Sequence, residues 1–258
     1  MKLVDSHVHL NFPEFREDME QVIENAKQNN VEIMVNIGVD LKTSQESVNL
    51  AQRYDHIYAT VGVHPHSADE FPAIQSQIKQ LAGDHAVIAI GEIGLDYFRN
   101  ISAHESQIAA FREQLALALS IKKPIVLHCR DAYTEVLQIL ESDYIANLDG
   151  RLPGIVHSFT AGSSFARQFL QMGFFIGLNN VITYPKNTVL VDAIKDIPLN
   201  RIVLETDCPY LPPQQIRGQR CEPMHVNEVA KKLAEIKGLP LKEVIEQTTN
   251  NVREVFGL

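Results

Sequence analysis

With 258 residues, 45% of them hydrophobic and 21% charged, the chain has the length and balance of a globular protein with one sizeable core. A net charge of −9 disfavours a broad basic face for coating duplex DNA, although bound divalent cations can supply positive charge locally. No apolar run approaches the roughly 18 residues that span a bilayer, and the N-terminus lacks a basic region followed by an apolar stretch. The expectation is therefore a cytoplasmic protein that needs neither a membrane nor an obligate protein partner.

Short β-branched runs alternate with amphipathic stretches from end to end. Leu3 to His7 reads as a strand, and Phe15, Met19, Val22, Ile23 and Ala26 follow at helical spacing on one face. Next come a strand at 31–38 and a helix at 40–54 that Asp40 or Thr43 can cap. "IYATVGVHPH" (57–66) predicts a third strand and 70–82 its helix; "AVIAIGEIG" (86–94) predicts a fourth, followed by a helix over 102–121. "PIVLHC" (124–129), "PGIVHSF" (153–159), "GFFIGL" (173–178) and "RIVLETD" (201–207) complete the strands. Helices follow over 131–142, 163–172 and 187–196, then 223–237 and 241–256 beyond a Pro-rich loop.

Eight strands, each followed by a helix, predict a single (β/α)₈ TIM barrel of α/β class over residues 1–258, with room for small distortions and an extra C-terminal helix. An open dinucleotide-binding sheet is disfavoured, because no G-x-G-x-x-G follows the first strand. Cys129, Cys208 and Cys221 are too sparse for a disulfide framework or a zinc knuckle, and read as buried thiols.

On that frame six residues fall at C-terminal strand ends: His7 and His9, Glu92, His128, His157 and Asp207. This is the face where barrel enzymes build their sites. Side chains two apart on a strand share a face, so His7 and His9 can address one ion together. Taken singly, a strand-end histidine is more often a hydrogen-bonded core residue, and an isolated Glu92 or Asp207 a helix cap or loop charge; their joint placement reverses that reading. Imidazole and carboxylate donors suit zinc or manganese, and magnesium where water completes the shell. Six ligands exceed one tetrahedral site, so two divalent ions sharing Glu92 are expected, clamping the oxygens of a transferring phosphoryl or acyl group. Asp207 is placed both to ligate and to take a proton from the attacking water.

These residues sit in an ordered series of motifs: "DSHVHL", "GVHPH", "GEIGLDY", "LHCRDA", "HSFTA", "LETDCPYL" and "RGQRCEP". The series resembles the TatD family of metal-dependent deoxyribonucleases, within the amidohydrolase-like hydrolases, nearly end to end. The resemblance implies that His7, His9, Glu92 and Asp207 hold one metal and that Glu92, His128 and His157 hold the other, an assignment the strand-end reading leaves open. It further implies Mg- or Mn-dependent phosphodiester hydrolysis at single-stranded DNA ends, with Asp207 as the base, while zinc remains open from the donor set alone. Cys221, Ala161 and Cys129 depart from the residues common in that family, and none of them is a ligand.

His64, Arg130, Arg217 and Arg220 are candidate substrate-binding residues, with Arg99 weaker and His66 structural. Tyr97 and Phe98 can stack on a base or pack under the helices. Glu205 and Asp5, each on the strand face of a ligand and one layer deeper, are expected to support the site. Cys129 and Cys208 should face away from it. A metal-dependent amide or ester hydrolase, or a deacylase of a small or RNA-linked substrate, is the alternative on the same residues.

Overall fold

A computed structural model describes residues 2–258. Eight parallel strands form one sheet in sequential order: β1 (Leu3–Val8), β2 (Val31–Asn36), β3 (Ile57–Val61), β4 (Val87–Asp96), β5 (Ile125–Arg130), β6 (Gly154–Val156), β7 (Phe175–Leu178) and β8 (Ile202–Leu204). The barrel closes where Val8 meets Cys208, with backbone bonds from His9 N to Cys208 O (2.9 Å) and from Asp207 N to His7 O (3.0 Å). The helices are α1 (Met19–Gln28), α2 (Leu41–Arg53), α3 (Phe71–Ala82), α4 (His104–Ile121), α5 (Tyr133–Asp143), α6 (Ser163–Gln171), α7 (Thr188–Asp196), α8 (Val226–Lys237) and α9 (Leu241–Phe256).

The alternation expected of the strands sorts their residues into two apolar layers. Leu127, Val156, Ile176 and Leu204 pack outward under helix residues such as Phe111, Leu115, Val136 and Phe169. Val4, Val35, Ala89, Val126, Ile155, Phe175 and Val203 fill the barrel, joined by Val252, Val255 and Phe256 of α9. Thr249 Oγ1 donates to Lys2 O (3.0 Å), and Asn251 Nδ2 donates to Leu199 O (2.9 Å) and Ile202 O (2.6 Å), so the extra C-terminal helix seals the end where the strands begin. Asp40 caps α2, its side chain accepting from Thr43 N at 2.7 Å.

Three details depart from expectation. Phe15 lies in a single 3₁₀ turn (Pro13–Phe15) ahead of α1, because the proline favours a first turn but the helix begins only at Met19. Glu92 stands in the middle of β4 rather than at its end, since the ladder with β5 resumes after a register shift and runs on to Asp96–Arg130. Gly94 permits this: at its φ of +146° a Cβ would lie 1.9 Å from His128 O. The β8 ladder stops at Leu204, and the segment carrying Asp207 is held instead by Asp5, which accepts from Thr206 N (2.9 Å) and Thr206 Oγ1 (2.6 Å).

The position of Asp5 sharpens its supporting role. A register irregularity between Asp5 and Val8 breaks the alternation, and the Asp5 carboxylate reaches across to the β8 segment rather than to the histidine rings. Burial pushes its pKa well above the ordinary carboxylate value, against the hydrogen bonds from Thr206.

Candidate metal centre

The strands deliver six donor side chains to one point at the barrel mouth. His7 Nε2 lies 3.2 Å from His9 Nε2, 3.4 Å from Glu92 Oε2 and 3.7 Å from Asp207 Oδ1. His9 Nε2 is 3.4 Å from Asp207 Oδ1. His157 Nε2 is 3.9 Å from Glu92 Oε1 and 3.7 Å from Asp207 Oδ1, while His128 Nδ1 is 2.7 Å from Glu92 Oε1. Glu92 is thus shared, one carboxylate oxygen toward His7 and the other toward His128 and His157.

Two strands bring their ligand in by plain alternation: Val126 and His128 on β5, and Ile155 and His157 at the end of β6, are two residues apart. On β1 and β4 the ligand comes three residues after the interior residue, Val4 to His7 and Ala89 to Glu92, and a register shift in each strand makes up the difference. Asp207 is aimed by a left-handed backbone, φ +62°, of the kind that surrounding structure must hold in place.

Hydrogen bonding on the far side of each ring decides what it offers the cluster. His128 sits between two carboxylates, Nε2 3.0 Å from Asp96 Oδ2 and Nδ1 2.7 Å from Glu92 Oε1, which raise its pKa against burial; with the outer nitrogen held by Asp96, Nδ1 is the atom a cation would displace a proton from. His157 Nδ1 lies at ion-pair distance, 3.0 Å, from Glu205 Oε1, on the side away from the cluster, and Nε2 points toward Glu92 and Asp207. His64 is the reverse case. Its Nδ1 accepts from His66 N at 3.1 Å, so the neutral ring carries its proton on Nε2, 3.7 Å from Glu92 Oε1. His64, Glu92 and His128 are close enough to converge on an ion, but His64 presents an N–H rather than a lone pair. It is a hydrogen-bond donor aimed into the site.

The electrostatics follow from burying acids and bases together. Burial alone would raise the Glu92 pKa, yet His157, His64, His128 and His7 hold it well below the usual range. Asp207 is lowered similarly: burial opposes, and His157, His9 and His7 outweigh it. Burial disfavours a charged His157, but Glu205, Glu92 and Asp207 push its pKa up to about 10. Burial and the neighbouring His128 depress His64, which stays neutral.

This donor set fits divalent cations. Nε2 atoms of His7 and His9 face one another at 3.2 Å, and the His7 and His157 rings stack at 3.4 Å. A cation at the point where these nitrogens converge would replace the protons they share and take their lone pairs as ligands. His7, His9 and Asp207 form one convergent triad. The carboxylates of Glu92 and Asp207 supply negative charge against the cation.

Asp96 is a functional residue that the strand-end argument missed. It is buried, binds His128 Nε2 and His66 Nε2 (each 3.0 Å) through one oxygen, and accepts from Phe98 N and Arg99 N through the other. The signal was present: Glu92, Gly94 and Asp96 share a strand face, within the quoted "GEIGLDY". Glu205 takes its expected place behind His157, across a bare Gly177 whose Cβ would meet the carboxylate at 2.5 Å.

The candidate substrate residues divide. His64 and Arg130 line the cleft of about 700 Å³ over the cluster, together with His66 and Arg99. Arg220 and Arg217 lie outside the lining of that cleft. The Arg220 guanidinium is occupied by Asp18 (2.8 and 2.6 Å), Glu222 (3.0 Å) and Glu14 O (2.6 Å), pinning the last loop to the turn before α1. Arg217 stacks on Tyr184, 4.7 Å from the ring centre. Cys208 is buried in the outer layer as expected; Cys129 packs there too, though it also borders the cleft. Tyr97 is turned from the cleft, donating to Glu135 Oε2 at 2.5 Å and stacking on His104.

Fold and site together define a metal-dependent hydrolase barrel with a histidine–carboxylate centre at the C-terminal mouth. The chain belongs to a particular family of these: residues 4–257 match the family described as TatD related DNase. It is 37% identical over 255 residues, 98% of each chain, to the uncharacterized metal-dependent hydrolase YabD of Bacillus subtilis. It is 34% identical to the 3'-5' ssDNA/RNA exonuclease TatD of Klebsiella pneumoniae, over 99% of this chain and 98% of that one. The crystal structure of YjjV, a TatD homologue from Escherichia coli, superposes with a TM-score of 0.93 at 30% identity, covering 99% of this chain and 98% of that one.

Proposed function

We propose that the protein is a nuclease that hydrolyses phosphodiester bonds at the ends of single-stranded DNA, using two divalent cations at the barrel mouth. His7, His9, Glu92 and Asp207 would hold one ion; Glu92, His128 and His157 would hold the other. Magnesium, manganese and zinc all suit these donors. When bound, such ions acidify a water and neutralise the charge that develops on phosphoryl oxygens.

The observation that carries the reading is the division of labour among the histidines. His128 and His157 have their outer nitrogens beside Asp96 and Glu205, so that a cation displacing the inner proton would meet Nδ1 of His128 and Nε2 of His157, while His64 turns an N–H inward. An N–H at that position stabilises an anionic oxygen, the group a phosphodiester presents throughout its hydrolysis. Asp207, at the closing seam of the barrel, takes the proton of the attacking water. Arg130, on the cleft wall, adds fixed positive charge for a neighbouring phosphate in a chain that is acidic overall. The family membership and the relatives named as ssDNA/RNA exonucleases support the same bond and the same substrate. The three buried free thiols fit action in the reducing cytoplasm.

The test is hydrolysis of labelled single-stranded DNA with manganese or magnesium, beside a panel of carboxylic esters and amides. DNA cleavage that falls at least about 10³-fold in Asp207→Ala is the expected result. His64→Ala should lose about 10²-fold in kcat without weakening the metal-dependent rise in Tm. Turnover confined to esters or amides would overturn the reading in favour of a deacylase on the same site.

A further inference from the structure

Four large apolar side chains stand exposed among the described residues: Phe98 (54%), Ile101 (61%), Val189 (65%) and Tyr210 (49%). All four occupy segments that follow strands at the mouth. Phe98 and Ile101 lie between β4 and α4, Val189 is in the first turn of α7, and Tyr210 comes three residues after Asp207. Exposed apolar residues scattered singly need no explanation, but confinement to the face that holds the ligands marks a binding surface.

Two of them stand on opposite sides of the mouth, Tyr210 in the cleft lining and Phe98 just outside it behind Arg130, because β1 and β8 meet at the closing seam while β4 and β5 lie across the barrel. On the far wall the Arg130 guanidinium covers the Phe98 ring at 3.8 Å. On the seam side Tyr210 packs edge-to-face on Phe12 with centres 6.0 Å apart, and Phe12 stacks on the ligand His9 at 4.4 Å. Arginine ion pairs among the described residues involve Arg53, Arg112, Arg220 and Arg253. Arg99 and Arg130, both on the cleft wall, have no carboxylate partner and are free for phosphates.

We infer that Phe98 with Arg130 and Tyr210 with Phe12 are two base-stacking platforms on either side of the metal cluster. A single strand crosses the mouth between them, with its scissile phosphate over the cluster and a flanking nucleobase on each platform. This rests on the phosphodiester reading above and adds to it the source of strand selectivity. Bases within a duplex are already stacked on one another and cannot turn to a wall, whereas every unpaired base has a free face. The platforms therefore select strandedness and not sequence.

The test uses the metal-loaded full chain on two oligonucleotides of equal length, one of thymidines and one with abasic tetrahydrofuran residues at its terminal positions. The readout is the ratio of kcat/KM between the two. Wild type should prefer the base-bearing strand by about tenfold or more. Phe98→Ala and Tyr210→Ala should each lower that preference about tenfold, through KM, while Phe98→Trp and Tyr210→Phe should retain it. A preference unchanged by both alanine variants overturns the platforms and leaves the nuclease reading standing. Wild type that cleaves neither oligonucleotide overturns both.

Discussion

The two ends of the barrel solve opposite problems with the same strands. At the end where the strands begin, Val252, Val255 and Phe256 of α9 pack into an interior of aliphatic side chains and Phe175. At the mouth, buried His7, His9, Glu92 and His157 crowd together, with Glu92 3.4 Å from His7 and 3.9 Å from His157. One end gains free energy by removing apolar surface from water; the other buries ionisable groups, which is unfavourable until a partner compensates. Stability and chemistry are therefore separable by position along a strand, and substitutions at the two ends should have opposite signatures.

Phe256→Ala at the sealed end carries the largest expected effect on folding. Truncating a buried aromatic there should cost about 3 kcal/mol, read as a lower midpoint in urea unfolding, with kcat on DNA unchanged in the folded enzyme. A loss of kcat at full stability would break the separation.

Glu205→Gln at the mouth should do the reverse. The variant keeps the size of the side chain but weakens the hold on His157 Nδ1, which lies 3.0 Å from the carboxylate. Loss of such an orienting partner costs about 10–100-fold in metal affinity, which a titration followed by calorimetry would measure. Metal-free unfolding should shift little by comparison, and equal losses in both measurements would make Glu205 merely structural.

The smallest effect is expected at Arg220, which belongs to neither end. Its partner Asp18 is half-exposed and the pair is screened by solvent, so Arg220→Ala should change stability by about 1 kcal/mol or less. KM for DNA should stay the same, whereas Arg130→Ala should raise it. A KM rise in Arg220→Ala would return Arg220 to the substrate path.

Much of this was legible in the chain. The alternation of β-branched runs with helical periods implied the barrel, and all six expected ligands do meet at its mouth. Asp96 was legible in principle, on the same strand face as Glu92, but a lone aspartate in "GLDY" carries no mark of the two histidines it binds. The places of Arg217 and Arg220 were not legible, because a loop arginine looks the same whether its guanidinium faces the cleft, stacks on a ring, as Arg217 does on Tyr184, or meets an acidic side chain from a turn some 200 residues earlier, as Arg220 meets Asp18.

The sequence by itself determined the order of elements and the identity of the donors, because periodicity and residue chemistry are local. Tertiary structure alone decided the register shifts in β1 and β4 that bring His7 and Glu92 inward where strict alternation from Val4 and Ala89 would turn them outward. It also decided which nitrogen each histidine offers, through Asp96, Glu205 and the backbone of His66. Those choices depend on contacts between strands and loops distant along the chain, and no local pattern encodes them.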